Sequence, residues 1–156
     1  MTPAINLAKK LKIPFTVHEY QHDAAAASYG EEAAEKMGVS SDRVFKTLVV
    51  SVDGANLHVA IVPVSHQLSL KKVAKAAGLK KVSMADKQRV EKTTGYVLGG
   101  VSPLGQKRLL PTVLDETAMA FDTIFVSAGK RGLEIELSPH DLLNALKAIS
   151  ADIRDN

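Results

Sequence analysis

The sequence predicts an α+β fold in which a mixed, largely antiparallel sheet is flanked by helices. Short segments that alternate between apolar and polar residues are interleaved with segments whose apolar residues recur at helical spacing. Asp53-Gly54 separates two largely apolar segments, as is typical of a hairpin between antiparallel strands. Because the chain has 156 residues, 46% of them hydrophobic, we expect residues 1–156 to form one domain around one core.

Capping residues and glycines mark the elements in the first half of the chain. Thr2 before Pro3 predicts the start of the first helix, and Pro14 predicts its end. Gly38 and Gly78 stand where left-handed residues commonly end helices. The predicted elements after the first helix are a strand at 15–20, a helix at 29–38, strands at 44–52 and 57–62, and a helix at 70–77.

The second half of the chain predicts three strands between two helices. A fourth helix is expected from Met84 to a stop near Gly95. Strands are expected at 96–98, 120–126 and 133–137, with a loop rich in glycine and cations at 127–132. The last helix begins at Ser138-Pro139, and its expected buried stripe is Leu142, Leu143, Leu146 and Ile149.

Lys46 is the anomalous residue of the 44–52 strand. The segment is apolar on both faces, which is typical of a strand in the middle of a sheet. A lysine in such a strand either extends to an open end or meets an anion. The alternative is an edge strand, where a lysine hinders pairing with other chains. The strand alone leaves both interpretations open.

Positive charge is concentrated in one part of the chain. The whole chain carries a net charge of +3, which is only mildly basic. The segment 70–92 alone carries a net +6, from eight basic residues against Asp86 and Glu91. Clustered cations are typical of a surface that neutralises phosphates, and a solvated helix face is the alternative.

Composition disfavours several functional classes. The chain has no cysteine, so it forms no disulfide and no thiolate metal site. His18 and His22 lie in a strand that runs into a loop, which does not bring them to one face, so we expect no metal. The N-terminus lacks a basic segment followed by an apolar one, and no apolar run is long enough to cross a bilayer. We therefore expect a cytoplasmic protein without membrane contact.

A glycine-rich stretch follows the fourth predicted helix. Gly99 and Gly100 allow a ligand to approach the backbone closely, and Pro103 stiffens the exit from the loop. Such a loop can present N–H groups to an anion or to a carbonyl oxygen. It is not a P-loop, because Gln106 stands where that motif needs a lysine. Taken alone, the stretch is also compatible with an ordinary turn.

Two carboxylates, Glu134 and Glu136, alternate with three apolar residues between 133 and 137. The alternation puts both carboxylates on the polar face of a short strand. From the residues alone, we predict that this strand is a solvated edge.

Four segments together resemble the YbaK proteins of the YbaK and prolyl-tRNA-synthetase-associated editing superfamily. Gly99 to Pro103 has the superfamily's pattern of glycine, three residues and proline, and a lysine placed like Lys46 is its other hallmark. The resemblance covers essentially the whole chain and implies that superfamily's fold. The four segments are Thr2-Pro3-Ala4, Phe45-Lys46-Thr47-Leu48, residues 94–107 and residues 127–136.

The resemblance implies an editing enzyme that acts in trans, with prolyl-tRNA synthetase as a transient partner. Such proteins cleave the ester that joins a wrong amino acid, for YbaK typically cysteine, to tRNA(Pro). In the mechanism proposed for the family, the thiol of the substrate attacks its own carbonyl, so neither a protein nucleophile nor a cofactor is required. The absence of cysteine and of a G-x-S-x-G motif from this chain agrees with that mechanism.

The resemblance also implies roles for individual residues. Lys46 is expected to hold the phosphate or ribose end of the tRNA, and Gly99 and Gly100 to donate N–H groups to the oxyanion. Glu134 completes the expected catalytic set. The expected substrate-binding residues are Tyr20, Tyr29, Thr47, Val101, Ser102, Pro103, Ser127 and Gly129. The expected tRNA-binding residues are Lys71, Lys72, Lys75, Lys80, Lys81, Lys107, Arg108, Lys130 and Arg131.

Three residues depart from the family pattern, and they keep alternatives open. Tyr29 replaces a common phenylalanine, Ala128 a common glycine, and Glu134 a frequent aspartate. The extra methylene of Glu134 shifts its carboxylate, so cysteine specificity is less secure than deacylation itself. The alternatives are a deacylase for another small amino acid such as alanine, a non-catalytic tRNA-binding module, and a small-molecule phosphate-binding protein.

Overall fold

The computed structural model describes residues 1–25 and 28–156 and has eight strands in two sheets within that part of the chain. The helices are α1 (Pro3–Lys10), α2 (Tyr29–Met37), α3 (Leu70–Ala77), α4 (Lys87–Thr94) and α5 (Pro139–Leu146), with a 3₁₀ helix at Glu116–Ala120. The strands are β1 (Phe15–Glu19), β2 (Phe45–Val52), β3 (Asn56–Pro63), β4 (Val82–Met84), β5 (Thr112–Asp115), β6 (Ile124–Lys130), β7 (Leu133–Leu137) and β8 (Ile149–Ala151).

The predicted α+β class with mixed, largely antiparallel pairing is confirmed, although the strands form two sheets. One sheet has the order β1-β7-β6 and is antiparallel throughout. The other has the order β4-β2-β3-β5-β8, with antiparallel pairs from β4 to β3 and parallel pairs from β3 to β8. Among the described helices, none is long and apolar enough to span a bilayer.

Local capping explains why the predicted helices form where they do. The Thr2 hydroxyl accepts the Ile5 N–H at 3.3 Å and begins α1. Gly38 and Gly78 adopt left-handed conformations and end α2 and α3. Asp86 accepts the Arg89 N–H at 3.2 Å, so α4 begins after Asp86 instead of at Met84.

The five-stranded sheet separates two apolar layers. Val50 of β2 and Ala60 of β3 pack with Val73 of α3 on one face. On the other face, Val49 and neighbouring β-residues join a larger core with α1, α4, α5 and the three-stranded sheet. The helices α3 and α4 therefore lie on opposite faces of this sheet.

Three predictions about the second half of the chain are wrong. Residues 96–98 form no strand, because the buried Tyr96 donates its hydroxyl to the Leu104 carbonyl at 2.6 Å and the chain turns there. Ile149 is not part of the α5 stripe: α5 ends at Leu146, and Ile149 lies in β8 with 47% of its surface exposed. The strand expected at 120–126 begins at Ile124 and continues to Lys130 through a bulge, so most of the expected 127–132 loop is strand.

One of the two sheet-edge interpretations is wrong, and the other holds in part. β7 is the middle strand of its sheet, since β1 and β6 pair on either side of it, so the strand that carries Glu134 is not a solvated edge. β2 has both β3 and β4 as neighbours, but β4 pairs only with residues 50–52, so at Lys46 β2 is paired with β3 alone. Lys46 therefore lies where one side of β2 is open, whereas Glu134 lies on an interior strand, where a charge needs a specific reason.

Candidate active site

One cavity has a volume of about 310 Å³ and is lined by residues from five parts of the chain. β4 pairs only with residues 50–52 of β2, so the first half of β2 is left uncovered on that side and lines the cavity. Of the residues expected from the sequence, those at the cavity are Tyr20, Tyr29, Lys46, Thr47, Gly99, Val101, Ser127, Arg131 and Glu134.

Other expected site residues lie elsewhere. Gly100, Ser102, Pro103 and Gly129 do not line the cavity, although all four are in the two loops or strands that border it. The expected tRNA-binding residues other than Arg131 also lie outside it. Six lining residues were not singled out from the sequence, namely Ser28, Gly30, Val44, Phe45, Leu48 and Leu98. Three of these six, Val44, Phe45 and Leu48, belong to the apolar strand segment around Lys46. Their position beside that lysine is the sequence feature that could have identified them.

Lys46 offers an uncompensated positive charge to the cavity. Its side chain is half-buried, and burial lowers its pKa, with Glu31 opposing that shift through its negative charge. No ion pair among residues 1–25 and 28–156 includes Lys46. A partly desolvated cation without a protein partner is stabilised by an anionic ligand.

Glu134 is a buried carboxyl on the middle strand of its sheet. Only 7% of its surface is exposed, and burial raises its pKa to about 8. It is opposite His18 of β1 and Ser127 of β6 in the sheet register. None of the ion pairs in the described part of the chain includes Glu134. A cation that enters the cavity and contacts this carboxyl stabilises its charged form.

Tyr20 lies close enough to Glu134 to be affected by its charge. Burial is the main cause that raises the pKa of the Tyr20 phenol, and the Glu134 charge raises it further. The Tyr20 N–H donates to the Gly132 carbonyl at 2.9 Å, which fixes the end of β1 against the β6–β7 turn. Tyr20 therefore remains a neutral phenol that can donate one hydrogen bond inside the cavity.

The glycine loop has two main-chain N–H groups without an acceptor at residues that line the cavity. The Gly100 N–H is already donated to the Val97 carbonyl at 3.0 Å. By contrast, the N–H groups of Gly99 and Val101 have no acceptor among the described residues, and both residues line the cavity. Gly99 and Val101 are thus better candidates for oxyanion donors than the expected pair of Gly99 and Gly100.

Arg131 covers Tyr29 at the cavity. The guanidinium carbon of Arg131 is 3.5 Å from the centre of the Tyr29 ring, which is a close cation–π contact. The buried Nε of Arg131 and Oγ1 of Thr47 have no hydrogen-bond partner among the described residues. Buried polar atoms normally have partners, so these two atoms point to a polar ligand in the cavity.

Comparison with known proteins identifies the family. The sequence family described as Aminoacyl-tRNA editing domain matches residues 23–145. The chain belongs to this family. Editing is the removal of a wrong amino acid from a tRNA, so the chain is an aminoacyl-tRNA deacylase by reaction class.

Individual relatives of this editing domain support the assignment. EbsC of Enterococcus faecalis, named as a candidate Cys-tRNA(Pro)/Cys-tRNA(Cys) deacylase, is 41% identical over 97% of this chain and 92% of its own. A proline–tRNA ligase of Maridesulfovibrio salexigens is 28% identical over 65% of this chain, which corresponds to 17% of the ligase. The crystal structure of a candidate trans-editing enzyme for prolyl-tRNA synthetase superposes with a TM-score of 0.80 at 25% identity, covering 91% of this chain and 87% of its own.

The contact between Gly99 and Tyr29 gives a test of the cavity in this editing domain. Gly99 has φ of +92°, and a Cβ there would lie 2.7 Å from Cε2 of Tyr29. We expect Gly99→Ala to displace the Tyr29 ring and lower kcat/KM for deacylation about tenfold or more, since small shifts of positioning groups are costly. Initial rates on a charged tRNA measure the effect.

A matched glycine controls for backbone strain. Gly38 also has a left-handed φ, +67°, but nothing lies within 4 Å of its Cβ position. Gly38→Ala should therefore lose stability as Gly99→Ala does, by roughly 1–2 kcal/mol, and keep its activity. Equal activity losses in the two variants would show that strain, and not the contact with Tyr29, is responsible.

Proposed function

We propose that the protein is a trans-editing deacylase that removes cysteine from Cys-tRNA(Pro) and acts alongside prolyl-tRNA synthetase. One observation carries the proposal. Lys46, a cation, and Glu134, a buried carboxyl, line the same cavity of about 310 Å³, and neither has an ion-pair partner among the described residues. The names of the relatives and the match to part of a proline–tRNA ligase support the choice of amino acid and tRNA.

Three features of the cavity suit three groups of an aminoacyl ester. The Lys46 ammonium suits a phosphate or ribose oxygen of the terminal nucleotide. The Glu134 carboxylate suits the α-ammonium of the amino acid, because that cation offsets the cost of ionising a buried carboxyl. The free N–H groups of Gly99 and Val101 suit the carbonyl oxygen, on which negative charge develops during attack.

The attacking group in this proposal is the thiol of the substrate. Its sulfur forms a bond to the carbonyl carbon, the bond from that carbon to the ribose oxygen breaks, and the thiol proton goes to the departing ribose oxygen. The described lining of the cavity contains no histidine beside Ser28, Thr47 or Ser127 to activate a hydroxyl. The Ser127 hydroxyl instead accepts the Gly129 N–H at 3.1 Å. The protein then acts by holding the ester and stabilising the oxyanion.

Selection against other amino acids has two sources. The cavity rejects large side chains by steric exclusion, which is more effective against larger than against smaller competitors. The remaining small side chains are rejected because they lack a thiol. Alanine and proline esters therefore bind in the cavity without an internal nucleophile, and a serine ester offers only an unactivated hydroxyl.

The proposal is tested with tRNA(Pro) charged in turn with cysteine, serine, alanine or proline. Serine is the matched control, because it differs from cysteine only by oxygen in place of sulfur. We expect release of cysteine, with serine released at least about a hundredfold more slowly, since an unactivated hydroxyl is a weak nucleophile. Release of the labelled amino acid is measured with and without added prolyl-tRNA synthetase, and faster release in its presence is expected of a transient complex.

Each other result selects a different function. Release of serine or alanine as fast as cysteine would indicate that water, and not the thiol of the substrate, attacks the ester. Release of none of the four, with tRNA binding retained, would support a non-catalytic tRNA-binding module.

A further inference from the structure

A second cavity, of about 220 Å³, lies at the hairpin end of β2 and β3 and shares no lining residue with the first. Its basic lining side chains are His58 of β3, Arg89 of α4 and Arg108 of the segment before β5. None of the described residues that line it is an aspartate or a glutamate. The cavity therefore concentrates positive charge without a carboxylate to neutralise it.

The two arginines differ in how they are held. The Arg89 guanidinium donates to the Ala55 carbonyl at 2.6 Å and to the Gly54 carbonyl at 3.4 Å, which fixes its plane against the hairpin turn. A guanidinium has five N–H donors, so others remain for a ligand. Arg108 is exposed, and within the described part of the chain no hydrogen bond or ion pair uses its side chain. The cavity thus combines one fixed and one free cation.

The edge of β3 adds a main-chain donor. β5 pairs with β3 only from Val59 onward, and the Val59 N–H donates to the Pro111 carbonyl at 2.8 Å. Because N–H directions alternate along a strand, the Leu57 N–H points to the same edge at a level that β5 does not reach. Burial lowers the pKa of His58, so its neutral ring can donate one N–H. Such groups suit an oxyanion with several acceptor atoms.

The position of the second cavity relates it to the first. β2 runs from Lys46 at one cavity to Val52 opposite Asn56 at the other, which is about 20 Å at the rise of a strand. The segment 93–111 lines both cavities, through Leu98, Gly99 and Val101 at the first and Arg108 to Pro111 at the second. A nucleotide chain whose ester end is at Lys46 spans this distance within a few nucleotides.

We infer that the second cavity binds a phosphate of the tRNA backbone, a few nucleotides from the ester, with Arg108 and Arg89 as its cationic donors. This inference rests on the proposed function, because a tRNA substrate is what brings a second phosphate to this distance. The basic segment expected from the sequence includes residues of both α3 and α4. This inference assigns contact with the tRNA to the α4 side of the five-stranded sheet. Lys72 on the α3 side is already paired with Asp152 at 3.0 Å.

The test compares two substrates in wild type and in Arg108→Ala. One substrate is Cys-tRNA(Pro), and the other is cysteinyl-adenosine, an ester without phosphates. We expect the ratio of kcat/KM on the tRNA to kcat/KM on the adenosine ester to fall about tenfold in Arg108→Ala, as for loss of one charge-assisted hydrogen bond. Lys10→Ala removes one charge from an exposed residue that lines neither cavity, and it should keep the ratio.

Binding of uncharged tRNA(Pro) at several KCl concentrations gives a second readout that needs no catalysis. Arg108→Ala should reduce the slope of log affinity against log salt by about 1, as expected for one lost phosphate contact. If the wild type fails to deacylate any ester, the proposed function is wrong. The salt dependence of tRNA binding would still show whether Arg108 of the second cavity contacts a phosphate.

Two results would overturn the inference. One is a ratio and a salt slope that are the same in Arg108→Ala and in the wild type. The other is that inorganic phosphate binds tightly and that this binding, measured through the NMR signals of the His58 ring, depends on Arg108, whereas the affinity for tRNA does not. That second result would assign the cavity to a free anion.

Discussion

Lys46→Ala is expected to lower kcat/KM on Cys-tRNA(Pro) by about a hundredfold or more. The lysine is half-buried in the part of β2 that β4 does not cover, and it has no anionic partner among the described residues. A phosphate or ribose oxygen that it holds is left unpaired in the cavity when the ammonium is removed, and loss of one partner of such a pair typically costs 2–5 kcal/mol, or roughly a hundredfold in rate at about 3 kcal/mol. Single-turnover release of cysteine measures the loss in kcat/KM at subsaturating protein and the rate of the bound complex at saturating protein.

The folded state should tolerate this substitution. Burial lowers the pKa of Lys46, so the charged side chain costs stability in the absence of a ligand. The melting temperature of Lys46→Ala should therefore equal or exceed that of the wild type, and Lys10→Ala should match the wild type in both activity and stability. Unchanged release by Lys46→Ala at saturating protein, with only weaker tRNA binding, would contradict a role in positioning the ester.

The sequence predicted those features that depend on neighbours along the chain. The Thr2 cap, the left-handed Gly38 and Gly78 and the hairpin at Asp53-Gly54 each depend on local backbone chemistry, and all are confirmed. Short β4, β5 and β8 have three or four residues each and were missed. Their pairing partners are distant in the chain, so a local pattern carries little information about them.

The candidate site shows the same division. Lys46 stood out because a charge within an apolar strand is anomalous in any fold. Glu134 was misinterpreted from its residues alone, because its burial depends on β1, whose Phe15 pairs with Leu137 at the other end of the chain. The contact of Arg131 with Tyr29 joins the β6–β7 turn to α2, and the alternation of residues cannot predict such a contact.

Glu134→Gln is expected to abolish most activity while making the protein more stable above neutral pH. In the complex, a glutamine leaves the α-ammonium of the substrate without a countercharge in a buried site, a loss of the kind that costs about 3–5 kcal/mol, or at least a hundredfold in kcat/KM. In the free protein, burial raises the pKa of Glu134 from its ordinary 4.5 to about 8. A raised pKa means that the stability associated with this group is fully present below about pH 4.5 and is lost as the pH rises through about 8.

A glutamine cannot ionise, so the variant avoids this loss. At pH 8 the free energy of unfolding of Glu134→Gln should exceed that of the wild type by on the order of 3 kcal/mol, with the difference shrinking towards pH 5. Glu136→Gln is the matched control, since Glu136 lies on the same face of β7. The Thr123 hydroxyl and His18 hold the pKa of Glu136 below its ordinary value, so its contribution to stability is present above about pH 4.5 and lost in acid. Glu136→Gln should therefore lose stability at neutral pH and keep its activity.

The two variants together separate a functional carboxyl from a structural one. Thermal unfolding between pH 5 and 8, measured beside release of cysteine, should give opposite signs: Glu134→Gln more stable and inactive, Glu136→Gln less stable and active. A glutamine at 134 that destabilises the protein at pH 8 would mean that the buried carboxylate has a partner in the fold. Full activity of that variant would remove Glu134 from recognition of the substrate. The expected combination would mean that the fold tolerates an unpaired buried carboxyl because the incoming ammonium supplies its partner.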